Sequence, residues 1–137
     1  MRKTLQTILF MSVLGLCIVS LPECKNNPTS STSNDTFPAS NISYGKYIQP
    51  ILSGYCNYTG CHNSFDQAGN PPLILETYHD VTALAGIVVA GKSTGSILYL
   101  RIHGDVQPQM PPYPYPLLSA NKIKAIKTWI DEGAKQN

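Results

Sequence analysis

Three residues able to bind a metal or a cofactor stand close together in the segment Cys56-Asn57-Tyr58-Thr59-Gly60-Cys61-His62. Two thiols followed directly by a histidine are the arrangement that attaches a c-type haem. The thiols add to the two haem vinyl groups, and the adjacent imidazole reaches the iron as the proximal ligand. The usual spacing leaves two residues between the cysteines, whereas four stand here. Gly60 can supply the backbone freedom that the longer loop needs.

Three other interpretations of this segment stay open on the motif alone. Cys56 and Cys61 could form a disulfide, which an oxidising compartment permits. The same thiols could bind zinc together with His62 and a second histidine, although the spacing is not a familiar zinc pattern. His62 could also be an ordinary surface residue. The residue types favour haem attachment over these three.

A further candidate ligand lies in the segment Gln109-Met110-Pro111-Pro112. Methionine and histidine are a familiar axial pair for haem iron, and the methionine raises the reduction potential. A methionine is more often core filler, but regular structure cannot easily form between Pro108 and the Pro-Pro pair. His79 and His103 are the alternative sixth ligands, and His79 is expected to face solvent on the second helix.

Short helices joined by Pro- and Gly-rich connections must position these residues. Apolar residues at helical spacing predict a first helix over residues 44–55, with Pro50 in its first turn or at a kink. A second helix is predicted to begin at Thr77, because Thr77-x-x-Asp80 resembles a capping box, and Gly86 can end it.

Two more helices are predicted in the C-terminal half. One covers residues 96–102 and stops at Gly104. The last is capped by Ser119 and ended by Gly133. Its buried stripe is predicted to consist of Ile123, Ile126 and Ile130. The opposite face is predicted to carry Lys122, Lys124 and Lys127. These lysines are predicted either to be solvated or to dock an acidic partner.

Composition narrows the class of protein. The chain has 137 residues, which is enough for one domain. Its 10 Lys and Arg against 8 Asp and Glu give a net charge of +2, too weak a surplus to bind nucleic acid by neutralising phosphates. A hydrophobic content of 42% excludes a wholly disordered chain. A domain of about 96 residues rich in loops has a thin core, so a bound cofactor is expected to help hold it together.

The N-terminal region predicts export. Residues 1–24 begin with Met1-Arg2-Lys3, continue in an uncharged and largely apolar run, and fit a signal peptide. Leu21 stands three residues before Cys24, as in a bacterial lipoprotein signal, although Glu23 is unusual just before the cut. Lipidation of Cys24, which would give a membrane tether, and ordinary cleavage nearby are equal alternatives.

The rest of the chain divides at a change in composition. Residues 25–41 are rich in Asn, Ser, Thr and Pro and are predicted to form a linker. The folded domain is predicted over residues 42–137. The mature chain is expected in the periplasm or at the surface of the cell envelope.

The order of these segments resembles bacterial class I-type cytochrome c domains over about residues 42–134. Ile48-Gln49-Pro50-Ile51-Leu52 before the cysteine motif looks like their N-terminal helix. Their middle and distal-ligand region resembles Gly91-Lys92-Ser93 through Ser96-Ile97-Leu98-Tyr99, followed by Met110-Pro111-Pro112. Their closing helix is similar to Leu117-Leu118-Ser119 and Trp129-Ile130-Asp131-Glu132-Gly133-Ala134. The four residues between the cysteines are the main departure from the family.

The resemblance implies a mostly α, small cytochrome c-like domain around one covalent haem c. It implies attachment through Cys56 and Cys61, with His62 and Met110 as axial ligands. Both axial positions would then be filled, so it implies electron transfer with redox partner proteins rather than an enzyme. Two alternatives are a haem-based sensor or peroxidase-like enzyme, should Met110 dissociate, and a haem-free interaction module stapled by a disulfide.

Cys56 and Cys61 should both form thioether bonds, because together with His62 they make up the attachment motif. Mass spectrometry of the denatured protein, produced in a haem-maturing host, is expected to show the added mass of one haem. Free thiols or a disulfide at these two positions would contradict this prediction.

Overall fold

The structure, a computed structural model, describes residues 35–65 and 73–137. Within these ranges the chain is mostly helical and contains no β-strand, in agreement with the predicted mostly α class. Its four α-helices are α1 (Gln49–Tyr55), α2 (Tyr78–Ala83), α3 (Ile97–His103) and α4 (Ala120–Asp131). A π-helical turn, Tyr44–Ile48, leads into α1, and a 3-10 turn, Ser93–Gly95, precedes α3. The predicted signal peptide and residues 25–34 of the predicted linker lie outside the described residues.

Local capping explains where the helices begin and end. The Thr77 hydroxyl accepts a hydrogen bond from the Asp80 backbone N–H, and the Asp80 carboxylate accepts one from the Thr77 N–H, which confirms the capping box. Ser119 caps α4 by accepting from the backbone N–H of Lys122. Gly104 ends α3 with φ 97°, in the left-handed region that favours glycine.

Two helices differ in detail from the prediction. The first predicted helix is π-helical before Gln49, whose backbone N–H bonds to the carbonyl of Tyr44, five residues earlier. Pro50 follows at the start of α1 and has no N–H with which to continue a regular α-helical ladder through this turn. The second helix ends at Ala83, before Gly86, because Leu84 is already extended at φ −90° and ψ 123°.

The core lies where α4 packs against the Tyr44–Ile48 turn. The Trp129 ring is 5.4 Å from the Tyr44 ring, and Tyr44 in turn meets Tyr78 edge to face at 5.1 Å. Trp129 is fully buried, and its indole N–H donates to the carbonyl of Lys135 at 2.9 Å. These aromatic contacts join α4, the N-terminal turn and α2 into one packed unit.

Hydrogen bonds join the C-terminal residues to the same turn. The carbonyl of Asn137 accepts from the Gly45 N–H at 3.1 Å and from the Ser43 hydroxyl at 2.6 Å. The Glu132 carboxylate accepts from the backbone N–H groups of Asn41 and Ile42 at 2.7 and 3.0 Å. The segment that leads into α1 is therefore fixed by the end of α4 and the residues after it.

The buried face of α4 is rotated from the predicted one. It comprises Lys122, Ala125, Ile126, Trp129 and Ile130, whereas Ile123 is only half-buried. Lys122 pairs with the Asp35 carboxylate and lies 5.2 Å from the centre of the Tyr55 ring. The prediction that Lys122 belongs to a solvated or docking face is wrong, because Asp35 and Tyr55 together cover its ammonium group.

The other two lysines of α4 differ in their surroundings. Lys124 is exposed, and Lys127 pairs with Asp131 one helical turn away at 2.6 Å.

Residues 35–41, which composition places in the linker, lie against the domain through Asp35 and through Phe37, whose ring is 5.8 Å from that of Tyr47. Among the helices of residues 35–65 and 73–137, none combines the length and the hydrophobicity that a membrane span requires.

Two core tyrosines, the buried Tyr44 and the half-buried Tyr78, should respond differently to removal of their hydroxyl groups. Among the described residues the buried Tyr44 hydroxyl has no hydrogen-bond partner, whereas the Tyr78 hydroxyl donates to the Ala134 carbonyl at 2.9 Å. Tyr44→Phe should leave the free energy of unfolding unchanged or higher, and Tyr78→Phe should lower it by about 1 kcal/mol. Urea unfolding of both variants measures this, and a larger loss for Tyr44→Phe would contradict it.

Tyr44 should also contribute to the loss of stability at high pH. Burial, with a smaller effect from the Asp80 carboxylate, raises the pKa of Tyr44 from 10.0 to about 12. Between these values the unfolded chain loses the phenolic proton while the native protein keeps it, so stability falls as the pH rises. Tyr44→Phe should make the free energy of unfolding less steep across this range, with Tyr113→Phe, at an exposed position, as the control. Equal slopes for both variants and the parent would count against it.

Candidate functional site

An apolar cavity of about 510 Å³ contains the side chains that the sequence predicts as ligands. Cys56, His62 and Met110 all line it, although Met110 is distant from the other two in sequence. The rest of its wall is almost entirely aliphatic and is formed by Leu73, Leu75, Leu84, Ala85, Ile87, Ile97, Leu98, Ile102 and Pro108, with one cation, Arg101. Its volume lies in the range of about 300–1,000 Å³ that is usual for cofactor and ligand sites.

The fourth predicted residue, Cys61, borders a smaller cavity of about 100 Å³. Cys56, His62 and Met110 line this cavity too, so they are shared by both. The tertiary structure therefore brings all four predicted site residues to one place.

His62 is oriented by a backbone carbonyl. Its ring nitrogen Nδ1 lies 2.9 Å from the carbonyl oxygen of Leu73. A carbonyl oxygen can only accept a hydrogen bond, so Nδ1 carries the hydrogen and Nε2 keeps the lone pair that could bind a metal. The backbone is also fixed, because His62 N–H donates to the Cys56 carbonyl at 3.0 Å and the Leu75 N–H donates to the His62 carbonyl at 2.9 Å. Such an outer hydrogen bond is typical of metal-binding histidines.

The loop between the cysteines closes through a tight turn. The Cys61 N–H donates to the Tyr58 carbonyl at 2.9 Å, and Gly60, the third residue of this turn, has φ 77°. A turn with positive φ at its third residue favours glycine. Gly60 thus provides the backbone freedom expected of it, and the four-residue spacing returns Cys61 towards Cys56.

The two thiols differ in their surroundings. Cys56 is the C-cap of α1 and is only 8% exposed, whereas Cys61 is half-buried. Both are free thiols in the structure, so the disulfide considered on the motif is not formed here. Burial raises the pKa of the Cys56 thiol to about 12, and the nearby Cys61 adds to this, so Cys56 is protonated at neutral pH.

Met110 is held on the cavity wall by its own backbone. Its N–H donates to the Arg101 carbonyl on α3 at 3.0 Å, and the Arg101 guanidinium donates to the Pro108 carbonyl at 3.0 Å. The loop that carries Met110 is therefore bound to α3 through both the backbone carbonyl and the side chain of Arg101. Met110 itself is half-buried and packs against the edge of the core.

The two alternative histidine ligands lie elsewhere. His79 is exposed on α2, as predicted, and lines neither cavity. His103 is also exposed: its Nδ1 is 2.9 Å from the Asp105 carboxylate, and its ring stacks on Tyr99. Within the described ranges no three or more His, Cys, Asp or Glu side chains are grouped so that they could hold a metal ion.

Arg101 is a site residue that the sequence analysis missed. It is the one charged side chain among the described residues that line the larger cavity. A haem is an apolar plane that carries two carboxylates, so an aliphatic wall with a single cation fits its chemistry. Arg101 is a charged residue among the apolar residues of α3. This position was the only feature of the sequence that could have indicated a role for Arg101 in the site.

Comparison of the chain with family models, with curated proteins and with solved structures gave no match.

A carboxylate placed on the cavity wall should weaken binding of an apolar ligand. Ile97, the first residue of α3, lines the cavity and is 38% exposed, so Ile97→Asp should fold, and an acidic residue suits a helix N-terminus. The affinity for the anionic dye anilinonaphthalene sulfonate, followed by fluorescence, should fall by about tenfold, because the new carboxylate would lie beside the apolar ring of the dye and repel its sulfonate. Leu117→Asp, at an exposed apolar residue that lines neither cavity, is the matched control. Equal losses in both variants would place the dye outside the cavity.

Proposed function

We propose that this chain is an exported c-type cytochrome that carries electrons through one covalently attached haem. The observation that carries the proposal is the meeting of Cys56, His62 and Met110 on the wall of one apolar cavity, with Cys61 beside it. No other part of the described chain combines thiols, an oriented imidazole and a thioether around a space of this size. The chemistry of this donor set fits a c-type haem.

Each of the four residues has a defined part in this proposal. Cys56 and Cys61 would hold the haem through two thioether bonds, and His62 Nε2 and Met110 Sδ would bind its iron. The bound group supplies reversible one-electron reduction of its iron. The carbonyl of Leu73 keeps the His62 ring in one orientation and one tautomer. This hydrogen bond also makes the imidazole a more basic ligand, which donates its lone pair to a metal more strongly.

The cavity wall and Arg101 adjust the electrostatics of the site. The wall is almost entirely aliphatic, and such surroundings lower the local dielectric constant. A low dielectric constant disfavours the more highly charged redox state of the bound group, which is the oxidised one. Reduction is therefore favoured. Arg101 places a positive charge on the wall, where it can pair with a ligand carboxylate.

The same arrangement favours electron transfer over catalysis. Two protein ligands on the iron leave no open coordination position for a substrate, so we propose no enzymatic activity. The partners would be redox proteins and not nucleic acid, since the net charge is only +2.

The proposed location rests on the N-terminal sequence. A signal peptide over residues 1–24 would deliver the chain to the periplasm or the surface of the cell envelope. Lipidation of Cys24 would tether it to a membrane. These residues lie outside the described ranges, so sequence alone supports the location and the tether.

The spectrum of two single variants tests the axial ligands. Met110→Ala should open one axial position, give high-spin bands, lower the reduction potential and allow external ligands to bind. His103→Ala should leave the spectrum almost unchanged, because His103 is exposed and lines neither cavity. Absorption spectra and redox titration of the haem-loaded protein measure both.

The outcomes of this experiment separate the hypotheses. A high-spin spectrum for His103→Ala alone would mean two histidine ligands and would contradict the role of Met110. High-spin bands in the unaltered protein would favour a ligand sensor or a peroxidase-like enzyme. Absence of a Soret band would leave a haem-free interaction module and contradict the proposed function.

A further inference from the structure

Two tyrosine rings join the cysteine loop to the loop that carries Met110. Tyr58 lies between Cys56 and Cys61, and Tyr115 follows Met110 by a few residues. Their ring centres are 4.6 Å apart and the planes are inclined by only 16°, which is a stacked pair. Aromatic pairs with this spacing attract each other beyond the effect of area burial.

The backbone on each side of the stack is fixed. The Tyr58 carbonyl accepts from the Cys61 N–H at 2.9 Å and from the Asn63 side-chain amide at 2.8 Å. The Tyr115 N–H donates to the Pro112 carbonyl at 3.0 Å and closes a turn. Each ring therefore projects from a turn with little freedom, so that movement of one loop is opposed by the other.

Two anchors hold the backbone near Met110, namely this stack and a hydrogen bond to α3. The Met110 N–H is bound to the Arg101 carbonyl on α3. Two prolines, Pro111 and Pro112, follow it and restrict the backbone between Met110 and the Tyr115 turn. Met110, Pro111 and Pro112 line the smaller cavity together with Cys61 of the cysteine loop. Movement of the Met110 backbone away from His62 would require one of the two anchors to yield.

We infer that Tyr58 and Tyr115 are positioning residues that keep Met110 in place as the sixth ligand. This inference rests on the proposed function and adds a role for the long cysteine loop. The loop contains Tyr58 and supplies a ring that braces the opposite ligand. Loss of the stack should let the Met110 loop move away and make the methionine easier to displace.

The test measures displacement of Met110 by added imidazole in the haem-loaded full chain. The Met–iron charge-transfer band and the Soret band follow the titration. Tyr58→Ala and Tyr115→Ala should each raise the apparent affinity for imidazole by about threefold to tenfold, the range expected for one aromatic pair. The double variant should give no more than either single variant, because removal of one ring already breaks the stack.

Two variants and one further measurement serve as controls. Tyr58→Phe keeps the stack and should behave as the parent protein. Tyr113→Ala removes a 97% exposed ring from the same loop and should also have no effect. Urea unfolding of each variant distinguishes a general loss of stability from release of Met110. A general loss would lower the midpoint of urea unfolding but leave the imidazole affinity unchanged.

The results distinguish this inference from the function on which it rests. A normal parent spectrum with unchanged imidazole affinity in Tyr58→Ala, or with effects that add in the double variant, would overturn the positioning role alone. A parent protein without a Soret band would overturn the cytochrome proposal and this inference with it.

Discussion

Trp129 of α4 packs against the ring of Tyr44, and through this contact the C-terminal helix holds the segment that leads into the cysteine motif. Hydrogen bonds from that segment to Glu132 and Asn137 reinforce the contact. The π-helical turn then passes directly into α1, whose C-cap is Cys56. The place of the first thiol is therefore set by packing against the C-terminal helix, and the loop after it starts from a fixed point.

Backbone carbonyls, rather than charged side chains, position the candidate ligands. The carbonyl of Leu73 orients the His62 ring, and the carbonyl of Arg101 holds the backbone of Met110. This suits an apolar site, because a carbonyl acceptor fixes a side chain or a loop without bringing an uncompensated charge into a low dielectric medium. It also explains how segments without regular structure can hold ligands in place, since each has a hydrogen bond to a defined neighbour.

The charge pattern around the site sets limits on how a partner could approach. Residues 47–65 and 106–121, which supply the cysteine loop and the Met110 loop, contain no Lys, Arg, Asp or Glu. Lys122 faces Asp35 and Tyr55, and Lys127 is paired with Asp131, so two of the three lysines on α4 are already engaged. Steering by long-range charge is thus weak at the loops that border the cavity, where apolar and aromatic side chains are exposed instead.

The local signals in the sequence determined much of this protein. Capping by Thr77 and Ser119 and the stop at Gly104 depend only on residues within a few positions of each other, so they could be predicted without the fold. The cysteine motif and Met110 were likewise visible as chemical groups, and the exposure of His79 followed from its helix.

Only the tertiary structure decided which of these groups meet. Met110 rather than His103 lines the cavity because a backbone bond to α3 fixes its loop, and Lys122 is buried because Asp35 approaches from far along the chain. The role of Arg101 on the wall and the stacking of Tyr58 on Tyr115 are of the same kind. Helical periodicity and capping report on neighbours along the chain, whereas these contacts join residues brought together by packing, and no local pattern specifies them.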